Sequence, residues 1–105
     1  MTLFPAFLDL AGREVVVIGG GAVAAAKAAR LAEAGARVTV IAERVNERLA
    51  WPAVAIERRA FVPSDLDGAW LVVAAATPAV NQAVARAAQA RRLFVNAVER
   101  STAVR

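Results

Sequence analysis

The stretch that decides the fold runs from Val15 to Lys27 and reads VVVIGGGAVAAAK. A run of β-branched residues leads into three consecutive glycines, and an alanine-rich run follows them. The first run is typical of a parallel strand buried on both faces, and the second is typical of a helix. Glycine loses more backbone freedom on folding than any other residue, so three glycines at this junction require a physical reason.

The glycines fit the pattern G-x-G-x-x-A over residues 19–24. Gly19 is expected to permit a tight turn, and Gly21 to let the backbone approach a pyrophosphate without an intervening Cβ. Ala24 still allows the helix to pack closely on the strand. The free N–H groups and the dipole of the helix start favour an anion. The sequence therefore predicts that a dinucleotide binds at Gly19, Gly20 and Gly21, with a purely structural turn as the alternative.

Strand and helix patterns alternate along the rest of the chain. The predicted strands are 14–18, 37–42, 54–59, 70–76 and 93–98. The predicted helices are 22–34 with Gly35 as its stop, a short one from about residue 44 that ends before Pro52, a single turn capped by Ser64, and one that begins at Thr77-Pro78 and ends near Arg92. This alternation predicts an α/β fold, a doubly wound Rossmann-type parallel sheet of five strands in the order 3-2-1-4-5. We expect one NAD(P)-binding domain over residues 1–105.

Composition limits the chemistry. The chain has 105 residues, of which 59% are hydrophobic and 21% charged, and it has neither histidine nor cysteine. A thiol nucleophile, a histidine base and the usual transition-metal ligands are therefore excluded, and no metal site is predicted. Catalysis would depend on carboxylates, hydroxyls, arginine, Lys27 or a bound cofactor.

The net charge of +4 does not indicate a nucleic-acid surface, because basic runs never exceed two residues and no aromatic residues interleave with them. It fits either an ordinary solvated surface or attraction to an anionic small molecule. The first ten residues lack the basic start of a signal peptide, and no apolar run reaches the length of a membrane span. We therefore expect a cytoplasmic protein that binds no membrane.

The carboxyl ends of parallel strands share one edge of a sheet, and ligands bind there. Besides the glycines, residues 42–44, 76–77 and 98–99 should reach this edge. Glu43 could bind the ribose hydroxyls of NAD, whereas Arg44 could meet the 2′-phosphate of NADP, so the residues leave both cofactors open. An exposed first turn of a helix is the alternative for both side chains.

Three further polar residues are candidates at the same edge. Thr77 follows the fourth strand and is a candidate cofactor-binding residue. Asn81, one turn later, either faces the crevice or lies on the helix surface. Glu99 is the carboxylate at the end of the fifth strand, and it is either catalytic or part of a solvated tail.

Several motifs together resemble one known family. The segments FPAFLDLAGREVVVIGGGAVAAAKAARLAEAGARVTVIA, FVPSDLDGAWLVVAAAT, AVNQAV and ARRLFVNAV are similar, in this order, to the siroheme synthase N-terminal module, a precorrin-2 dehydrogenase and sirohydrochlorin ferrochelatase. The resemblance covers nearly the whole chain. It implies NAD-dependent oxidation of precorrin-2 to sirohydrochlorin, followed in bifunctional members by insertion of ferrous iron.

The resemblance also implies roles for single residues. Glu43 and Arg44 match the positions that meet the adenosine side. Glu99 stands where the family has an aspartate implicated in both reactions, which keeps the carboxylate but moves it by one methylene. Thr77 is followed directly by proline, where the family has acidic or amide residues. The pyrophosphate loop of the family matches Gly19, Gly21, Ala22 and Val23.

In the family the chain continues after the fifth strand into a dimerisation segment and a helical part that help to form the tetrapyrrole pocket, whereas this sequence stops at Arg105. We therefore expect the nucleotide-binding half of such an oxidoreductase, acting as a homodimer or with a partner chain that supplies the rest. Alone it should bind NAD and be a poor dehydrogenase. The alternative is a nucleotide-binding or redox-sensing regulatory module without chemistry of its own.

Overall fold

The computed structural model describes residues 3–97, which form a sheet of five parallel strands in the order β3-β2-β1-β4-β5. The predicted fold class and strand order are confirmed. The elements are β1 (Glu14–Ile18), α1 (Ala22–Glu33), β2 (Arg37–Ala42), β3 (Val54–Arg58), a 3-10 turn (Pro63–Leu66), β4 (Leu71–Ala74), α2 (Pro78–Ala90) and β5 (Phe94–Ala97).

The central strand β1 is buried on both faces, which explains its uninterrupted apolar sequence. Val15 and Val17 pack on the side of α1, in a cluster with Ala24 and Ala28 of that helix. Val16 and Ile18 point to the opposite side, where the core includes residues of α2 and of the 3-10 turn. The sheet therefore lies between two apolar layers, as the parallel architecture requires.

The end of α1 and the start of α2 are as predicted, whereas α2 ends at Ala90, slightly before the predicted end near Arg92. Gly35 follows α1 with a φ of +87°, a left-handed conformation that glycine adopts without steric cost. At the start of α2, Thr77 Oγ1 accepts a hydrogen bond from the backbone N–H of Val80 at 3.3 Å, and Pro78 occupies the first helical position. Local capping chemistry therefore sets these boundaries.

The predicted helix after β2 is wrong, because residues 43–53 form bends and turns. Asn46 explains the difference. Its side-chain Oδ1 accepts the N–H of Arg48 at 3.0 Å, and its carbonyl oxygen accepts Trp51 Nε1–H at 3.1 Å. Its own N–H donates to the carbonyl oxygen of Gly20 at 2.8 Å. These hydrogen bonds compete with the backbone hydrogen bonds of a helix, so the segment stays irregular.

The single helical turn after β3 is confirmed, but Ser64 is not its cap. Ser64 lies inside the 3-10 turn, and Val62 precedes it in an extended conformation. The carboxylate of Asp65 accepts the N–H of Val62 at 2.8 Å. The turn is therefore capped by Asp65, whose carboxylate accepts the N–H of the residue before the turn, and not by Ser64.

The N-terminal segment presents large apolar side chains to solvent. Leu3, Phe4 and Phe7 are all exposed, and Phe94 on β5 is about half-exposed while it contacts the ring of Trp70. Within residues 3–97, no helix is both long enough and apolar enough to cross a membrane.

Candidate functional site

A crevice of about 590 Å³ opens at the carboxyl edge of the sheet. The glycine loop forms its floor together with Ile18 and Ile41, and the segments that follow β2, β3 and β4 form its walls with the first turns of α2. Three of the four segments predicted from the sequence therefore meet at this edge. The fourth contains Val98 and Glu99, which lie outside the described residues.

The three glycines differ in what surrounds them. Gly19 has a φ of +136°, and a Cβ there would collide with the carbonyl oxygen of Ala75. At Gly20 an added Cβ would collide with the carbonyl oxygen of Arg44. A Cβ on Gly21 would meet no protein atom within 4 Å. The first two glycines are therefore required by protein packing, whereas Gly21 faces open space.

The role of Gly20 in joining two loops was not predicted. Its carbonyl oxygen accepts the N–H of Asn46, and its bare Cα lies against the backbone of Arg44. The loop after β2 is thus fixed on the glycine loop, and residues 43–44 stay at the crevice. Nothing in the local sequence signals this contact, because the two loops are more than twenty residues apart in the chain.

The start of α1 is suited to an anion. Gly21 is the N-cap residue, no side chain caps the helix, and no acidic residue lies in its first turn. The backbone N–H groups there keep their donors for a ligand, and the helix dipole adds partial positive charge. Because the space beside Gly21 is also open, a pyrophosphate fits this position. Ala22 and Val23 are exposed on the first turn of α1 but do not line the crevice.

Glu43 and Arg44 both line the crevice and are exposed. Within residues 3–97, neither side chain forms an ion pair or a hydrogen bond. The alternative interpretation, in which both occupy the first turn of a helix, is wrong because that helix does not form. Their carboxylate and guanidinium groups are therefore available to a ligand.

Thr77 and Asn81 are used for structure. Thr77 lines the crevice while its hydroxyl caps α2. Asn81 is buried, so neither the predicted crevice position nor the helix-surface position is correct. Its Oδ1 accepts the N–H of Ala76 at 2.9 Å, and its Nδ2 donates to the carbonyl oxygen of Ala76 at 3.3 Å. The side chain thus acts as a clamp on the loop between β4 and α2.

Asn81→Ala is expected to lower the free energy of unfolding by about 1–3 kcal/mol, because it leaves the partly buried N–H and C=O of Ala76 without their side-chain partner. Gln82→Ala, on the exposed neighbouring position, should change stability by less than about 0.5 kcal/mol. Chemical denaturation followed by circular dichroism measures both. Equal stability of the two variants would contradict the clamp.

The segment after β3 supplies a wall that the sequence did not indicate. Arg59, Ala60 and Phe61 line the crevice. Arg59 forms a two-pronged pair with Asp65, with N–O distances of 2.5 and 2.9 Å. The hydrogen bond from Arg59 holds the pKa of the Asp65 carboxyl below its ordinary value, and burial opposes this only in part. A weakly patterned third strand gave no reason to expect a fixed arginine here.

The lining favours binding over acid–base chemistry. In the described part of the chain, Glu43 is the one carboxylate among the lining residues, which are mostly glycine, alanine and aliphatic side chains. Among residues 3–97, no group of three acidic, histidine or cysteine side chains is placed to hold a metal ion. The crevice can therefore hold a flat, phosphate-bearing ligand against backbone N–H groups and small side chains.

Comparison with known proteins supports this interpretation. Residues 6–104 match a family model described as "Putative NAD(P)-binding". The chain is 42% identical over 104 residues to the siroheme synthase of Methylobacillus flagellatus, in an alignment that covers 94% of this chain and 22% of that protein. It is equally similar, at 42% identity over 104 residues, to the siroheme synthase of Citrobacter koseri, with coverage of 94% and 23%.

Among solved structures, the chain is similar to SirC, a precorrin-2 dehydrogenase, with a TM-score of 0.71 and 29% sequence identity. The alignment covers 90% of this chain and 48% of SirC. The chain thus spans less than a quarter of the length of these siroheme synthases and about half the length of SirC.

Proposed function

The chain belongs to the NAD(P)-binding family whose model matches residues 6–104, and from this premise we propose that it is the NAD-binding part of a precorrin-2 dehydrogenase. The observation that carries the proposal is the open space beside Gly21 at an uncapped helix start, inside a crevice of about 590 Å³. The family and the likeness to SirC support a nicotinamide dinucleotide, NAD or NADP, as the ligand.

Different residues of the crevice bind different parts of the dinucleotide. The pyrophosphate lies against Gly21 and the first N–H groups of α1, where backbone donors and the helix dipole stabilise its charge. The adenosine ribose extends toward Glu43, whose free carboxylate accepts hydrogen bonds from the hydroxyls. When bound, the nicotinamide supplies the hydride acceptor for an oxidation, and this chain positions it.

The substrate in this proposal is the tetrapyrrole precorrin-2, the compound that the name of SirC, a precorrin-2 dehydrogenase, contains. The arginines and Lys27 together number 13 against 9 acidic residues and give the chain its net charge of +4, which attracts a polycarboxylate. Glu99 is the proposed catalytic carboxylate. A second wall for so broad a substrate would come from a second copy of the chain or from a partner polypeptide, and the exposed Phe4 and Phe7 offer apolar surface for such a contact.

Turnover of precorrin-2 with excess NAD, followed by absorbance, tests this proposal together with NADH fluorescence titration. We expect the 105-residue chain to bind NADH and to convert precorrin-2 more slowly than about one per second, the lower end of the ordinary enzyme range. The lining is suited to the cofactor and offers little to hold the reacting carbon in near-attack geometry.

The controls separate the two parts of the proposal. A folded chain that shows no NADH binding would refute the assignment of the crevice. Turnover at or above about one per second that Glu99→Gln abolishes would show that the chain needs no other polypeptide. If the chain binds NADH but does not convert precorrin-2, and an added partner chain does not restore this activity, the result would favour the regulatory module.

A further inference from the structure

The face of the sheet that α1 covers has no helix over its far strand, β5. Registered residues of parallel strands point to the same face, and Leu71 of β4 is in register with Phe94 of β5. Leu71 packs in the cluster that contains α1, but α1 packs mainly on β1, β2 and β3. The other helix, α2, packs on the opposite face. Within residues 3–97, this face of β5 therefore lacks the helical layer that normally covers a parallel sheet.

A groove of about 310 Å³ lies on this uncovered face, between α1, the N-terminal segment and strands β4 and β5. Its lining is mostly aliphatic, with Leu71 and Val73 from β4 and with Leu8 and Leu10 from the N-terminal segment. The groove shares no lining residue with the crevice at the carboxyl edge. It is therefore a second concave surface, separate from the proposed cofactor site.

Two cations of α1 also line the groove. Lys27, the one lysine of the sequence, and Arg30 are three positions apart, so they are neighbours on one side of the helix. Among residues 3–97, neither side chain forms an ion pair or a hydrogen bond. No acidic residue is found in the lining of the groove. An occupant that carries carboxylates beside an apolar surface would complement both properties.

The extent of the apolar surface favours a polypeptide as this occupant. Phe94 is 47% exposed on the same face, and the exposed Phe7 directly precedes Leu8. Broad exposed apolar surface marks protein contacts. A second copy in a two-fold contact would set this surface against itself, so that Lys27 and Arg30 would meet like charges. The charges therefore favour a different polypeptide.

We propose that the groove binds an amphipathic helix of a partner polypeptide, with apolar side chains in the groove and acidic side chains paired with Lys27 and Arg30. A helix is the element that covers the face of a parallel sheet, and here it would pack beside α1. The alignment with SirC covers 48% of that protein, so in that relative further chain accompanies this fold. Only the purpose of the partner rests on the proposed function, in which it supplies the second wall for the substrate.

Fluorescence anisotropy with two labelled synthetic peptides of about 14 residues tests this proposal. Both peptides carry leucines at helical spacing, flanked by glutamates in one and by lysines in the other. At low salt the wild type should bind the glutamate peptide about three- to tenfold more tightly than the lysine peptide. Lys27→Glu combined with Arg30→Glu should reverse this preference. Phe94→Ala should weaken both peptides alike, because it removes apolar contact and no charge.

The matched control combines Arg86→Glu with Arg92→Glu, which gives the same net charge but changes cations in and after α2. It should keep the wild-type preference, and the two double variants should bind NADH equally well. Circular dichroism establishes that all variants are folded. Sedimentation of the wild type and the groove variant should show the same oligomeric state.

Equal affinity of the wild type for both peptides, or binding of neither, would overturn the inference and leave NADH binding intact. Reversal of the preference in the control variant would also overturn it, because net charge alone would then explain the effect. A wild-type dimer that the groove variant dissociates would show that the occupant is a second copy. Absence of NADH binding in the wild type would refute the proposed function, whereas the peptide preference would still decide the docking site.

Discussion

Gly21→Val is expected to reduce the affinity for NADH by more than tenfold, which corresponds to about 1.4 kcal/mol or more, in a protein that still folds. The space beside the Gly21 Cα is free of protein atoms within 4 Å, so the valine side chain has room in the protein. That space adjoins the first N–H groups of α1, where the pyrophosphate is proposed to lie. The side chain and the ligand would therefore compete for the same volume.

The matched control is Gly21→Ala, whose smaller side chain should weaken NADH binding less. Both variants lose a favourable N-cap residue, so each should be less stable by about 1 kcal/mol at most. NADH fluorescence titration gives the affinities, and thermal unfolding followed by circular dichroism gives the stabilities. If a folded Gly21→Val variant binds NADH with wild-type affinity, the pyrophosphate does not lie beside Gly21.

Gly19→Ala is expected to lower the free energy of unfolding by about 3 kcal/mol or more, the largest stability effect that we predict. Gly19 has a φ of +136°, and a Cβ there collides with the carbonyl oxygen of Ala75, a backbone atom at the end of β4. The strand ends cannot separate without breaking the adjacent ladder, in which the N–H of Ala75 bonds to Ile18 at 2.8 Å. The backbone strain at the positive φ and the collision with Ala75 therefore both lower the free energy of unfolding.

Thermal unfolding measures this effect, and the midpoint should fall by more than about 10 °C for a domain of this size. Gly20→Ala should also destabilise, because its Cβ collides with the carbonyl oxygen of Arg44, but its loop has more freedom to move than a strand end. Gly21→Ala is the reference without a collision. A midpoint for Gly19→Ala within 2 °C of the Gly21→Ala midpoint would contradict the proposed close packing of Gly19 on β4.

Much of the fold follows from local sequence. The apolar run of β1, the alanine pattern of α1 and the caps at Gly35 and Thr77 predict element type and limits to within one to three residues. The strand order also follows, because alternating strands and helices leave few arrangements for right-handed crossovers. The open position at Gly21 was predictable too, since the glycine motif encodes a backbone that a ligand approaches.

Other features were decided by contacts between distant parts of the chain. Asn46 replaces the predicted helix after β2 with a loop that bonds to Gly20, and Asn81 turns inward to hold Ala76. Arg59 is bound by Asp65, six positions away across the end of β3, and its sequence context says nothing of that pairing. Propensity and periodicity describe how a segment interacts with itself and with a core. The partners of a polar side chain depend on which loops the sheet brings to one edge, and that geometry exists only after the strands have paired.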